Sequence, residues 1–379
     1  MDEKQGKNID KLFSLLFFKG KGKEYIEFTN SVGQRFFIPI GHIRTGIALY
    51  HASRIKGKLV KMLLPFIRNS STLLAKVCAQ KMTLQETSAL HDLLTKIFNR
   101  NDLTLAISCG TPGIHRKITV QISSRDEVLG YAKISGEPDV KSLFENEIDI
   151  LKELRTLGIN AIPQSLFYGE LSSCVNIFIQ DTVKKDRPVN KLRNEPLVWD
   201  FLLELYVKTS GEIPFKQTGY YQDLQRLKDN QLKHNLKESA LLQCTMAEVN
   251  DFFQNNATRF SVFHGDFTLW NTFIHQNKLY VFDWEYSRPA YPPFLDFFHF
   301  FTQCAFYEWR WDAMKTIRKF NSKQSVIKKY ISLPDLWYKA YLLAIIGFYI
   351  DRDKGKTNEL YQFRINLLKV LNKDISKRK

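Results

Sequence analysis

Asp266, Asn271 and Asp283 lie five and twelve residues apart in the stretch HGDFTLWNTFIHQNKLYVFDWE, residues 264–285. Two carboxylates and an amide are hard oxygen donors, which suit magnesium better than a soft metal. A carboxylate can also accept a proton from an attacking hydroxyl. Together they suit transfer of a phosphoryl group, in which negative charge spreads over phosphate oxygens. A divalent cation neutralises that charge while a base orients the nucleophile. The bland reading is that each is a loop residue bonding its own backbone. It fits any one of the three better than it fits the set.

The flanking residues say how such a set would be held. Ser261-Val262-Phe263 reads as a short strand running into His264-Gly265-Asp266, where Gly265 permits a tight turn. Leu279-Tyr280-Val281-Phe282 reads as a second strand with Asp283 at its end, and Asn277-Lys278 suit a hairpin turn. Asp266 and Asn271 would then sit on a loop before the hairpin, and Asp283 just after it.

With HGDxxxxN and the strand-ending DWE in place, the chain resembles the aminoglycoside phosphotransferase and choline kinase family, which has the protein-kinase-like fold. The continuation DWEYSRPAYPPFLDFFHF is similar to choline and ethanolamine kinases and to phosphotransferases of bacterial surface-polysaccharide gene clusters. The resemblance covers roughly residues 101–310. It implies Asp266 as catalytic base, His264 as a brace for its loop, and Asn271 and Asp283 as magnesium ligands. It also implies that Asp296 ties the loop from behind and that Glu285 assists at the metal or the acceptor.

Upstream, Leu103–Ile107 and Lys117–Ile122 read as strands around Ser108-Cys109-Gly110-Thr111-Pro112-Gly113. A turn of that kind covers nucleotide phosphates in kinases, which makes Gly110 and Gly113 candidates, although the loop lacks a full GxGxxG. Lys133, in the strand Leu129–Ile134, stands where the resemblance expects the phosphate-binding lysine. The helix VKSLFENEIDILKELRTLG supplies Glu147 as its partner, with Glu145 and Glu153 as alternatives and Gly158 as the helix stop. Two more strands, Ile162–Tyr168 and Val175–Gln180, lead to a hinge at Gln180-Asp181-Thr182 that would meet the adenine. KKDRPVNKLRNEP suits a crossing linker, and the chain beyond is mainly helical. Phe297, Tyr307, Trp309 and Trp311 read first as core and second as an acceptor cage for a cationic group.

The composition adds a bias in charge. Of 379 residues, 55 are Lys or Arg and 39 Asp or Glu, a net charge of +16 that admits a polyanionic partner. No acidic residue stands between Glu27 and Glu86, and Leu59, Met62, Leu63, Phe66 and Ile67 recur there at helical spacing among Lys58, Lys61 and Arg68. Such a helix packs its apolar stripe on the protein or lies on an anionic membrane. Pro65 is expected to kink or interrupt it. Thr83–Phe98 reads as a second amphipathic helix with Thr83 and Glu86 as a capping box. The basic C-terminal ISKRK reads as a frayed tail. Five dispersed cysteines, no bilayer-length apolar run and no secretory signal point to the cytoplasm, with membrane association through the basic region as an addition. No nucleic-acid module is recognisable.

The sequence therefore predicts an α+β, bilobal protein-kinase-like fold. Residues 1–100 form a basic N-terminal extension, 101–182 a β-rich N-lobe and 183–379 a larger helical C-lobe. The expected function is ATP- and magnesium-dependent phosphorylation of a hydroxyl on a small molecule or glycan, including surface-polysaccharide precursors. The competing readings are a catalytically inactive kinase-fold binding module and a membrane-apposed assembly protein.

Overall fold

The computed structural model describes residues 2–52, 55–184 and 195–376. The chain divides into two compact units. One comprises Met1–Arg155, Asn160–Val189 and Phe273–Asn277; the other comprises Thr156–Ile159, Asn190–Thr272 and Lys278–Lys379. The class is α+β, with strands concentrated in the N-terminal half and helices in the C-terminal half.

The first unit is built on an eight-stranded sheet. Its strands are β1 (Phe17–Thr29), β2 (Arg35–Pro39), β3 (Ala79–Glu86), β4 (Leu103–Ser108), β5 (Ile118–Ser124), β6 (Glu127–Ser135), β7 (Ser165–Ser172) and β8 (Val175–Asp181). They run in the order β3-β1-β2-β4-β5-β6-β8-β7, all antiparallel. The sheet passes without a break from strands within the first hundred residues into those beyond. Alternate side chains go to opposite faces. In β4, Leu103, Leu105 and Ile107 enter one core, which Phe13 and Leu16 of helix Asp2–Leu16 and Leu90 and Leu94 of helix Ser88–Phe98 complete. Ala106 enters a second core with Ile43, Ile47, Leu64 and Leu74. A layer on each face explains why LTLAIS is buried throughout.

Three expectations for the basic region are corrected. Thr83–Glu86 are strand, not the start of a helix, because Thr83 pairs with Glu24 and Glu86 with Phe17 across β1. The helix begins at Ser88, so the capping box does not form. Helix Ile55–Ile67 runs through Pro65 without interruption. Its packing goes through Leu64, with Val60 and Ile67 at the margin, while Leu59, Met62 and Phe66 point outward at 49%, 60% and 79% exposure.

In the second unit, two helices, Gly219–Lys233 and Ser239–Asn255, precede the Asp266 loop. Strands β9 (Gly211–Glu212), β10 (Arg259–Phe263) and β13 (Arg288–Tyr291) form a three-stranded sheet. Between the last two in the chain come β11 (Thr272–His275), which apart from Thr272 belongs to the first unit, and β12 (Lys278–Val281), connected by Gln276 and Asn277, both at positive φ. Helix Leu295–Gln303 passes into a π-helical turn, Cys304–Glu308. Helices Pro334–Arg352 and Glu359–Ser376 end the unit. The crossing linker falls largely on residues 185–194, outside the described residues, as does most of the ISKRK tail. No described helix is long and apolar enough to cross a membrane.

Candidate active site

The loop after β10 is fixed from behind. Asp296, buried in the first turn of helix Leu295–Gln303, accepts the His264 N–H at 2.9 Å and the Gly265 N–H at 3.2 Å. Gly265 has φ +80°, and a Cβ there would lie 2.4 Å from the Tyr286 carbonyl oxygen, so only glycine fits the turn. His264 Nδ1 accepts the Asp266 N–H at 3.2 Å, which leaves Nε2–H to donate to the Phe282 carbonyl at 3.2 Å. One imidazole thus links the Asp266 loop to the end of the following strand. Its burial lowers its pKa to about 4, so it is neutral.

Asp266 is held at both oxygens. Asn271 Nδ2 donates to Oδ2 at 2.8 Å and to the Asp266 carbonyl at 3.0 Å, while His299 Nε2 lies 3.3 Å from Oδ1. The carboxyl remains 22% exposed. Burial raises its pKa to about 7, with the charge of Asp283 as the next cause and Glu285 adding to it. Asp283 follows β12 in the left-handed region, φ +71°. The Phe282 N–H bonds to the Asn271 carbonyl at 3.0 Å and ties these two stretches together.

The donor set fits a magnesium ion. Asn271 uses its amide N–H groups on Asp266, which leaves Oδ1 free to accept or to ligate. The mutual repulsion of Asp266, Asp283 and Glu285 is of the kind a divalent cation relieves.

His299 was not among the residues singled out from sequence. The signal was present: in FLDFFHF, Asp296 and His299 are three apart, and on a helix that puts them on one side. Asp296 then grips the loop backbone and His299 the loop carboxylate.

Within the first unit, Lys133 Nζ lies 2.6 Å from Glu147 Oε2, with side chains 7% and 0% exposed. Glu145 instead meets the Tyr168 hydroxyl at 3.1 Å, and Glu153 is exposed. Lys133 pairs with Phe178 across the sheet and Tyr131 with Gln180, so Tyr131, Lys133 and Gln180 share a face. Gln180 is buried, and among the described residues its Oε1 has no hydrogen-bond partner. An orphaned buried oxygen beside a lysine suits a polar ligand such as a nucleotide. Thr182 Oγ1 accepts the Lys184 N–H at 3.1 Å. Gly110 is left-handed, φ +62°, with the Lys117 carbonyl 2.6 Å from where a Cβ would be; at Gly113 a Cβ would make only ordinary contact, 4.0 Å from the Thr111 carbonyl oxygen.

The aromatic candidates divide. Phe297 stacks on Trp199 at 4.3 Å in the core. Trp309 and Trp311 pack on each other at 4.5 Å and against Phe301. Tyr307 is 40% exposed on the π-turn, 5.6 Å from the ring of Trp270.

Residues 209–315 match the model of the phosphotransferase enzyme family, a segment that includes the whole Asp266–Asp283 region. No curated protein matches the sequence. Among solved structures, the fold is similar to a thermostable mutant of the aminoglycoside phosphotransferase APH(4)-Ia in ternary complex with ADP and hygromycin B. The TM-score is 0.52 at 12% identity, covering 76% of this chain and 98% of that one. The complex of that enzyme with AMP-PNP and hygromycin B gives 0.51 at 11%, with the same coverage. Residues 209–315 are thus similar to the phosphotransferase enzyme family, and the chain has the kinase-like fold of the aminoglycoside phosphotransferases.

Proposed function

We propose that this protein is an ATP- and magnesium-dependent kinase that phosphorylates a hydroxyl of a small molecule or glycan, with surface-polysaccharide precursors among the acceptor classes. The observation that carries the reading is Asp266. Asn271 and His299 hold its two oxygens, yet its carboxyl keeps an exposed part to meet a hydroxyl. Its pKa of about 7 is close to working pH, as a general base requires. Asn271 and Asp283 would hold the magnesium, which supplies charge neutralisation at the phosphates. Lys133, oriented by Glu147, would hold nucleotide phosphates, and Gln180 and Thr182 would serve the base. Positioning and charge stabilisation account for most of the acceleration in such chemistry. The ADP and hygromycin B bound by the similar enzyme support a nucleotide and a small-molecule acceptor.

Asp283→Asn should abolish magnesium-dependent ATP turnover in a folded protein, and Asp266→Asn should lose transfer while still binding Mg-ATP. Normal turnover in a folded Asp283→Asn variant would remove the assignment. Wild-type ATP hydrolysis or transfer also separates an enzyme from an inactive binding module.

One feature favours a peripheral membrane contact in addition. Leu59, Met62 and Phe66 are exposed within a stretch that has no acidic residue between Glu27 and Glu86. The full chain should sediment with phosphatidylserine vesicles, and Met62→Asp/Phe66→Asp should stay in the supernatant. Equal sedimentation of both proteins would exclude this face.

A further inference from the structure

Helix Glu359–Ser376 carries a buried arginine that the catalytic assignments leave unused. Arg364 is 1% exposed, and neither its Nε nor its Nη2 has a hydrogen-bond partner among the described residues. Its Cζ lies 4.3 Å from the ring centroid of Tyr349. Arg352 stands 4.2 Å from the same ring, but it is paired with Asp353 at 2.7 and 2.9 Å. Arg288, which also packs on an aromatic ring, is paired with Asp223. A guanidinium stays charged at any ordinary pH. Burying one with open N–H donors is unfavourable, and a face-on ring satisfies neither of those donors.

Its surroundings lead back to Asp266. The Tyr341 hydroxyl lies 3.4 Å from Nδ1 of His299, whose other nitrogen is 3.3 Å from the Asp266 carboxylate. The ring of Tyr307 lies 5.6 Å from that of Trp270, on the loop between Asp266 and Asn271. Tyr307 is the exposed residue of the π-turn, where an inserted residue re-aims side chains. The neighbouring Phe306 packs on Phe363 at 5.2 Å, so this turn lies against the helix that carries Arg364.

We propose that Arg364 is the anion-recognising group of the acceptor subsite, and that the acceptor carries a phosphate or a carboxylate in addition to the hydroxyl that reacts. The inference rests on Asp266 being the base. The acceptor O–H proton passes to Asp266, the oxygen bonds to the terminal phosphorus of ATP, the bridging P–O bond breaks, and ADP leaves with that electron pair. Arg364 takes no part in these bond changes. Its planar fork suits a two-oxygen anion and disfavours aminated or quaternary-ammonium acceptors.

The full-length protein is compared with Arg364→Met and Arg364→Lys. Thermal unfolding in inorganic phosphate and in acetate distinguishes the two anion types. Wild-type Tm should rise with one of them, while Arg364→Met shows no rise and Arg364→Lys a partial one. Without anion, Arg364→Met should melt at or above wild type, since a buried unpaired charge is gone. Mg-ATP turnover with glucose, glucose 6-phosphate and glucuronate should favour an anionic sugar. Arg364→Met should erase that preference by roughly 10- to 100-fold in kcat/KM, mostly through KM, as expected for a charge-assisted hydrogen-bonded pair. An anion-independent wild-type Tm, an equal shift in Arg364→Met, or a lower Tm of that variant without anion would overturn the inference. An Arg364-dependent shift with no acceptor phosphorylated keeps the subsite and removes the kinase reading. Transfer to neutral glucose that Arg364→Met leaves unchanged, with no anionic preference, does the reverse.

Discussion

The Lys133–Glu147 pair allows a double-mutant cycle that separates stability from ligand binding. Its nitrogen and oxygen are 2.6 Å apart, and its side chains are 7% and 0% exposed. Two charges this deep are costly apart and nearly neutral together. Removing one partner from a buried pair costs about 3–5 kcal/mol, because the other charge stays behind desolvated. Replacing both by apolar residues of similar volume is often neutral or stabilising. Lys133→Met should therefore lower Tm by on the order of 10 °C, at the roughly 2–4 °C per kcal/mol typical of a unit this size. Adding Glu147→Leu should recover most of that loss. Nucleotide affinity should follow the opposite course, falling in Lys133→Met and staying low in the double variant, since the phosphate-binding charge is still missing. Calorimetry gives the melting temperatures and titration with Mg-ATP gives the affinities. Two results would refute the reasoning. A Lys133→Met cost below about 1 kcal/mol would mean that the pair is solvated. A double variant that binds nucleotide like wild type would remove Lys133 from the nucleotide site.

Three further predictions concern the Asp266 loop. His264 titrates near pH 4 in the folded protein against 6.5 when free, so the unfolded chain takes up the proton first on acidification. The stability it contributes is whole above pH 6.5 and lost as pH falls toward 4, at most about 3 kcal/mol. His264→Gln should flatten that acid limb in denaturant midpoints at pH 7 and 4.5, and an undiminished decline would show that other groups cause it. Asp296→Ala leaves the buried N–H groups of His264 and Gly265 without their acceptor, at about 1–3 kcal/mol each. Asp296→Asn keeps one acceptor oxygen and should cost less; equal midpoints would remove the anchoring role. Gly265→Ala should cost about 1–3 kcal/mol from its φ of +80° and the Tyr286 carbonyl. It should also depress turnover more than stability, and wild-type turnover would mean that the loop adapts freely.

Much of this protein was legible because its signals are short in range. Asp266, Asn271 and Asp283 fall within one stretch whose strands alternate and whose turns need glycine or asparagine. The Lys133 strand and the Glu147 helix show their own periodicities, while the choice among Glu145, Glu147 and Glu153 waited on the structure, which pairs Glu147 with Lys133. What failed depended on partners distant in the chain. Thr83–Glu86 have an ambiguous pattern, and pairing with β1 made them strand. The apolar positions of helix Ile55–Ile67 were visible, but which of them are buried was set by the surface beneath Leu64. Gln180 gained meaning only when its neighbours left Oε1 without a partner. His299 reaches Asp266 across 33 residues, and Arg364 comes from the last described helix, Glu359–Ser376. Backbone preference and periodicity act within a few residues, so the sequence by itself determined most of the elements and the set of polar side chains that the Asp266 loop carries. Burial, strand pairing and the satisfaction of polar groups depend on contacts between distant segments. Only the tertiary structure could decide which side chains surround the Asp266 carboxylate, and that Arg364 is buried with donors left open among the described residues.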